Sequence, residues 1–309
     1  MASTLPPLYA HRLGRHYGPD SSAAALRHTL TAPVEGLETD VCLTADDRLV
    51  LLHDPLLTLG TTLDGWARQR TAEEIRSALI RDSAGEPTAE HPLLLEELID
   101  LVPEAVGLQL EVKAHADPAL ARRTAEALCK RLRGEPIRDR VEVISFYGEA
   151  CAAAAANGIS SRLVIWADYA PEALASWALR SGVDGISVEH FLLTERLVGV
   201  LRDAGLSVNA GTVNHPEVLM RVLEFAPDAI GTDRPHELRA WAETVHRAGA
   251  HQSPKEVVRR SIHPGSEVAT SARSAGPRKR ALRARSRPRS RGGTGSRSRR
   301  RQRRPRDES

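Results

Sequence analysis

Val141-Glu142-Val143-Ile144-Ser145 is a short apolar run, followed by an alanine-rich stretch that stops at Asn157-Gly158, then by a second run, Arg162-Leu163-Val164-Ile165-Trp166, and a helical pattern from Pro171. The two runs have the length and β-branched content of buried strands, and the segments after them have helical composition. Downstream the unit repeats. Gly185 to Val188 precedes Thr194 to Ala204, which ends at Gly205; Leu206 to Ala210 precedes Pro216 to Phe225; Ala229 to Thr232 precedes Pro235 to His246. Upstream, Pro7 to His11 predicts a first strand, and Asp20-Ser21-Ser22 offers caps for a helix over Ser21 to Thr31. Gly36 to Leu43 and Arg48 to His53 predict a strand pair turned at Ala45-Asp46-Asp47. Thr71-Ala72-Glu73-Glu74 has the capping-box pattern. Leu94 to Leu101 predicts a helix, Gly107 to Lys113 a strand, and Pro118 to Leu132 a helix with proline in its first turn.

Strands near residues 8, 38, 108, 143, 164, 186, 208 and 230 make eight strand-then-helix units. Eight units in about 250 residues predict an α/β fold, a (β/α)8 TIM barrel. A doubly wound open sheet is the alternative, but the Gly-x-Gly-x-x-Gly loop usual after its first strand is missing. The long gap over residues 54–106 predicts a small insertion after the second strand region, acting as a capping element.

The 309 residues contain 41% hydrophobic residues, which excludes wholesale disorder. No run approaches the roughly 18 apolar residues of a membrane span. Met1 to Ala10 has neither a basic region nor a long apolar region, so no secretory signal is expected. Cys42, Cys129 and Cys151 are far apart without metal-ligand spacing; they read as reduced thiols, and a cytoplasmic location is expected. The formal charge of +3 hides a split. Residues 1–251 carry 24 basic and 36 acidic side chains, net −12, and residues 252–309 carry 19 basic and 4 acidic, net +15. Two parts are expected: a barrel domain over 1–250, and a disordered arginine-rich tail over 251–309 that includes Arg278-Lys279-Arg280 and Arg299-Arg300-Arg301. Such a tail could bind nucleic acid, an anionic membrane surface or the acidic body, or be a solvated extension. It lacks the aromatic residues on which single strands stack.

In a barrel, chemistry gathers at the C-terminal ends of strands. Those ends carry His11-Arg12, Glu38-Thr39-Asp40, His53-Asp54, Glu111-Val112-Lys113, Ser145 and Thr232-Asp233. Residues i and i+2 share a strand face, so Glu38 and Asp40 project together, as do Glu111 and Lys113. Three carboxylates at one mouth repel unless a cation sits among them, and Mg2+ or Ca2+ takes such oxygen ligands. Two histidines can share acid and base work. Arg12 and Lys113 would neutralise an anionic substrate. Together these groups describe phosphate-ester hydrolysis. Each has a plainer reading: Glu-x-Asp is common on strands, His53-Asp54 could be a turn, and Glu-x-Lys could be a surface ion pair. The apolar run around Glu111 favours a site, because unpaired charge there would be costly.

The ordered set Ala10-His11-Arg12, Gly36-Leu37-Glu38-Thr39-Asp40-Val41, Val50-Leu51-Leu52-His53-Asp54, Leu110-Glu111-Val112-Lys113, Thr212-Val213-Asn214 and Gly231-Thr232-Asp233-Arg234-Pro235 resembles the glycerophosphodiester phosphodiesterase family over roughly residues 8–240. The resemblance implies a phosphatidylinositol-phosphodiesterase-like TIM barrel that cleaves glycerophosphodiesters such as glycerophosphocholine to sn-glycerol 3-phosphate and an alcohol, in lipid and glycerol metabolism. It implies one divalent cation on Glu38, Asp40 and Glu111, phosphate contacts from Arg12 and Lys113, and His11 and His53 as the acid/base pair. His53 is read as protonating the leaving alcohol and His11 as activating the nucleophile, with the reverse assignment open.

The sequence departs from the family pattern in four places. Leu13 precedes Gly14 in the first motif. Asp20 replaces a glutamate one methylene longer, so a bond made there could be lost. Gly60 stands for an arginine. Gly211 stands for a tryptophan expected to wall the glycerol, a role Trp166 could partly take. These changes leave the metal and histidine set intact and the glycerol specificity open. A lysophospholipase D-like activity on lipid is the second reading, with Leu56, Leu57, Leu59 and Trp66 of the insertion as a candidate apolar rim.

Overall fold

The computed structural model describes residues 5–248. The basic tail expected over 251–309, and the domain boundary placed at 250, lie outside the described residues.

Nine strands form one sheet: β1 Leu8–Ala10, β2 Gly36–Leu43, β3 Leu49–Leu51, β4 Gly107–Val112, β5 Val141–Ser145, β6 Ser160–Ile165, β7 Gly185–Glu189, β8 Ser207–Gly211 and β9 Ala229–Thr232. The order is β1-β9-β8-β7-β6-β5-β4-β2-β3, and an additional β1–β2 pairing closes it. Every pairing around the ring is parallel; β3 alone lies antiparallel, on β2, with Val41 opposite Leu51. This is the closed (β/α)8 barrel that the alternating pattern predicts.

The helices are α1 Ala23–Thr29, α2 Leu57–Gly60, α3 Ala72–Arg76, α4 Leu95–Leu101, α5 Pro118–Arg131, α6 Gly148–Ala156, α7 Pro171–Ser181, α8 Glu195–Asp203, α9 Pro216–Leu223 and α10 Pro235–Ala248. Their starts follow from side chains that satisfy otherwise orphaned amides. Ser22 accepts from Ala25 N, Asp117 from Leu120 N and Thr194 from Leu197 N; Thr71 and Glu74 form a capping box.

Alternation along the strands separates two environments. Leu37, Val41, Leu108, Leu110, Val143, Ile186, Val188, Val208 and Ala210 face the helices and form the main cores. The residues between them face the barrel axis. Toward the N-terminal ends of the strands the interior is closed by polar side chains. Arg162 donates through Nε and Nη2 to Glu142 Oε1 at 3.0 and 2.6 Å and through Nη1 to Ser207 Oγ at 2.8 Å, while Gln109 Nε2 donates to Glu142 Oε2 at 2.6 Å. The pair is nearly sealed from water and its remaining lone pairs and protons are shared with neighbours, as a buried ion pair requires.

The segment after β3 has its own small core of Cys42, Val50, Leu52, Leu57, Ala67, Ala72, Ile75 and Leu94. Helix α4 instead buries Leu95 and Leu98 in the main core, completing the second β/α unit. The first strand is shorter than its sequence suggests. His11–Leu13 turn as a 3-10 segment, and Arg12 and Leu13 have φ of +50° and +61°. Such a backbone costs about 1–3 kcal/mol per residue and is held only where its surroundings demand it. Here the Arg12 N–H donates to Glu38 Oε2 at 2.9 Å.

Candidate active site

The acidic residues come from neighbouring strands. Asp40 and Glu111 stand side by side in the β2–β4 register, and Glu38 lies one inward position below Asp40. All three are buried, and one oxygen from each lies within 4.8 Å of the others. Glu38 Oε1 and Asp40 Oδ2 are buried acceptors without a hydrogen-bond donor. Orphaned oxygens of this kind carry a desolvation cost that a hard cation would relieve. Burial, reinforced by the Asp40 charge, pushes the Glu38 carboxyl up to about 7, and burial also raises Glu111. Burial acts on Asp40 in the same sense, but the Lys113 and Arg12 charges override it and hold this carboxyl below the usual range.

Both cations are in place. Lys113 Nζ is 2.9 Å from Asp40 Oδ1 and 2.5 Å from Glu111 Oε1, and these charges raise its own pKa against the effect of burial. Arg12 Nε lies 3.7 Å from Asp40 Oδ2, and its Nη1 pairs with Asp20. The shorter aspartate at position 20 therefore keeps a bond to Arg12, and it also pairs with Arg15 Nε at 3.0 Å.

His11 Nδ1 lies 2.6 Å from Asp233 Oδ1, and its Nε2 lies 3.9 Å from Glu38 Oε2. Asp233 is itself fixed: Asn214 Nδ2 donates to Asp233 Oδ2 at 2.6 Å, and the Asp233 N–H donates to Asn214 Oδ1 at 2.8 Å. A carboxylate on Nδ1 keeps the proton there and leaves Nε2 facing the cavity as the basic nitrogen. Burial lowers the His11 pKa, but the Asp233 bond and the Glu38 charge outweigh it and the net shift is upward. His53 follows the same design nearer solvent, with Nδ1 3.1 Å from Asp54 Oδ1.

His11, Arg12, Glu38, His53, Glu111 and Lys113 all line one cavity of about 230 Å3. Asp40 stands behind this lining, in contact with Lys113. The sequence reading did not assign Asp233 and Asn214 a role, although both stand in quoted motifs at strand ends. It missed Glu189 and Asn209, which line the same cavity.

Two expectations about the rim do not hold. Trp166 is 64% exposed and does not line the cavity, because β6 ends at Ile165 and releases the indole to solvent. The insertion does not present a continuous apolar rim: Leu57 is consumed by the local core, Trp66 packs on His115 with ring centroids 4.5 Å apart, and Leu59 alone of the four is among the large exposed apolar side chains.

A closed parallel barrel with acidic, imidazole and cationic side chains gathered at one mouth suits hydrolysis of a phosphate ester. Residues 11–237 match the model of the glycerophosphoryl diester phosphodiesterase family. The chain belongs to this family of phosphodiester hydrolases. A glycerophosphodiester phosphodiesterase of Caldanaerobacter subterraneus subsp. tengcongensis is 27% identical over 233 residues, covering 74% of this chain and 94% of the relative. Among solved structures, an Oleispira antarctica phosphodiesterase in complex with the product sn-glycerol-3-phosphate superposes with a TM-score of 0.69 at 23% identity, covering 76% of this chain and 96% of that one. A glycerophosphodiester phosphodiesterase from Parabacteroides distasonis gives 0.64 at 22% identity, covering 78% and 99%. Among the described residues no helix is long and apolar enough to cross a membrane.

Proposed function

We propose that the chain hydrolyses small glycerophosphodiesters, glycerophosphocholine among them, to sn-glycerol 3-phosphate and an alcohol, with one divalent cation held by Glu38, Asp40 and Glu111. The observation that carries this reading is the buried carboxylate triad with two orphaned oxygens, of which Glu38 and Glu111 line the same cavity as a carboxylate-oriented imidazole. Mg2+ and Ca2+ both suit an all-oxygen donor set. Such an ion, when bound, supplies Lewis-acid polarisation of a phosphoryl oxygen.

The chain's own groups do the rest. Arg12 and Lys113 bring positive charge to the phosphate and lower the cost of the extra negative charge that develops on it. His11 is the deeper imidazole, beside Glu38 and oriented by Asp233, and it takes at Nε2 a proton of the water whose oxygen attacks phosphorus. His53 lies at the more open side of the cavity, where a departing alcohol meets solvent, and it donates the proton to that leaving oxygen. The family match over residues 11–237 supports the same chemistry.

The test is release of glycerol 3-phosphate from glycerophosphocholine by enzyme stripped with EDTA and then resupplied with Mg2+, Mn2+ or Ca2+ singly. Turnover restored by one of these ions is expected; turnover that survives stripping would refute the metal assignment. His11→Ala and His53→Ala each lower the rate by about 100- to 10,000-fold.

A lipid diester is favoured by one observation. Phe146, Trp166, Tyr169 and Phe191 are exposed and follow the C-terminal ends of β5, β6 and β7. Lysophosphatidylcholine assayed beside glycerophosphocholine decides between the two readings.

A further inference from the structure

The catalytic cavity shares part of its lining with a second hollow. Phe146, which follows β5, and Val164 of β6 line both the cavity and a space of about 510 Å3 between α6 and α7, on the outside of the barrel. The floor of this space is Leu163 and Val164, and its long side is a stripe of Ala170, Ala173, Leu174 and Trp177. Those four positions follow the i, i+3, i+4, i+7 spacing of one helix face. Opposite them α6 offers Gly148, Glu149 and Ala152. Small residues make the hollow: Ala152, Ala170 and Ala173 put only methyl groups where larger side chains would fill it. The Trp177 indole reaches across to α6, where a Cβ on Gly148 would lie 2.7 Å from its Cζ2, so glycine at 148 is what lets the indole cross.

The surface of this groove suits hydrocarbon. The charged side chains of its lining are Arg122 and Glu149, exposed and of opposite sign, so it presents no net charge to an ionic partner. Phe146 and Tyr169 leave aromatic rings exposed at its upper end. Exposed apolar surface of this kind, joined to a hollow that opens off a reaction chamber, marks a ligand groove. At the junction the Phe146 ring centroid is 5.6 Å from Lys113 Nζ, the cation assigned to the phosphate. A molecule whose phosphate lies at Lys113 therefore meets the start of the apolar path at the next side chain.

We propose that the groove between α6 and α7 holds the single acyl chain of a lysophospholipid whose phosphodiester lies in the catalytic cavity. The inference rests on the phosphodiesterase reading and adds where a substrate with one chain would put it. Continuity names the occupant: Phe146 and Val164 belong to both spaces, so one molecule can fill the two together. The stripe from Ala170 to Trp177 runs about 10 Å at the rise of an α-helix, so it grips the first part of a chain and leaves the remainder outside. Hydrolysis of lysophosphatidylcholine held this way breaks the phosphorus–oxygen bond to choline and forms one to the oxygen of water, giving lysophosphatidate and choline.

Binding tests this apart from turnover. Calorimetric titration of the full chain, with Mg2+ present, compares butyl, hexyl, octyl and decyl phosphocholine, each below its micelle concentration. The wild type is expected to gain about two- to fourfold in affinity per added methylene, the range for partial to full burial of a CH2 group, until the chain outruns the stripe. Ala173→Trp and Ala152→Phe fill the groove from its two sides. Both are expected to flatten the dependence on chain length, while glycerophosphocholine, which carries no chain, is turned over as in the wild type. Melting temperatures show which variants fold, and the wild-type slope is a test that needs no variant.

An affinity independent of chain length in the wild type would overturn the proposal. So would a slope that survives both substitutions, because the chain would then lie elsewhere. Self-association of the wild type that Ala173→Trp abolishes, with no chain-length slope, would give the groove to a second copy of this chain and overturn the proposal too. A slope flattened by both variants in a protein that turns over neither glycerophosphocholine nor lysophosphatidylcholine would refute the proposed reaction and leave the groove's assignment standing.

Discussion

Asp233→Asn exchanges one acceptor oxygen for a donor nitrogen with almost no change of shape. In the native site both carboxylate oxygens accept, Oδ1 from His11 Nδ1 at 2.6 Å and Oδ2 from Asn214 Nδ2 at 2.6 Å. The Asn214 amide cannot turn over to relieve the exchange, because its Oδ1 already accepts from the Asp233 N–H and from Thr232 Oγ1. An asparagine at 233 has one oxygen for two donors. If that oxygen stays on Asn214, its NH2 group faces His11 Nδ1, which must become an acceptor. The ring proton then moves to Nε2, and the nitrogen facing the cavity ceases to be a base. The expected loss is that of a positioned general base, about 100- to 10,000-fold in kcat, with KM little changed. Removing the carboxylate also removes an influence that raises the His11 pKa, so the acid limb of any residual activity moves to lower pH. Steady-state release of glycerol 3-phosphate across pH 5–9 at saturating Mg2+ measures both quantities. A variant within threefold of wild type in kcat, or one whose defect lies wholly in KM, would refute the tautomer argument.

Three further outcomes follow from the same geometry. Glu38 has a folded-state pKa above its unfolded value, so it favours the fold at low pH and this contribution disappears as pH rises toward about 7. Metal-stripped enzyme should therefore lose melting temperature between pH 5 and 7, and Mg2+ should restore it most at the upper end, with proton release on binding at pH 6; a metal-induced shift that shrinks with rising pH contradicts this. Lys113→Met strands Asp40 and Glu111 without their shared ammonium and should cost about 3 kcal/mol in urea denaturation of the stripped protein, less with Mg2+ bound. Arg162→Met leaves Glu142 buried and unpaired under the cavity and should cost a similar amount, about 3 kcal/mol, while kcat stays within a few-fold of wild type; a selective loss of kcat in a well-folded variant would give this ion pair a part in the chemistry.

The barrel was legible because its signal is local. Five-residue apolar runs such as Val141–Ser145 and helix starts such as Thr71-Ala72-Glu73-Glu74 declare themselves within a few residues. The pairing of Glu38 with Asp40 was equally local, since strand alternation places i and i+2 on one face. What escaped depends on closure of the ring. Asp233 meets His11 across 222 positions of sequence, and only the β1–β9 pairing brings them together. Glu142, Arg162, Ser187, Glu189 and Asn209 alternate with apolar residues, a pattern that in an open sheet marks the solvent face. Only a closed barrel turns that face inward and makes a floor and a wall of it. Trp166 misled for the converse reason: being one residue beyond β6 cost it an inward direction.

The floor beneath the cavity has a kinetic consequence. With Arg162, Glu142, Gln109 and Ser207 tied together across the axis, the chamber is a cul-de-sac, and whatever enters first must back out last. A diester threaded polyol-first would shed its alcohol to the open side at once, while the phosphorylated fragment waits behind it. Inhibition by accumulated glycerol 3-phosphate would then compete with fresh substrate, whereas added choline would not.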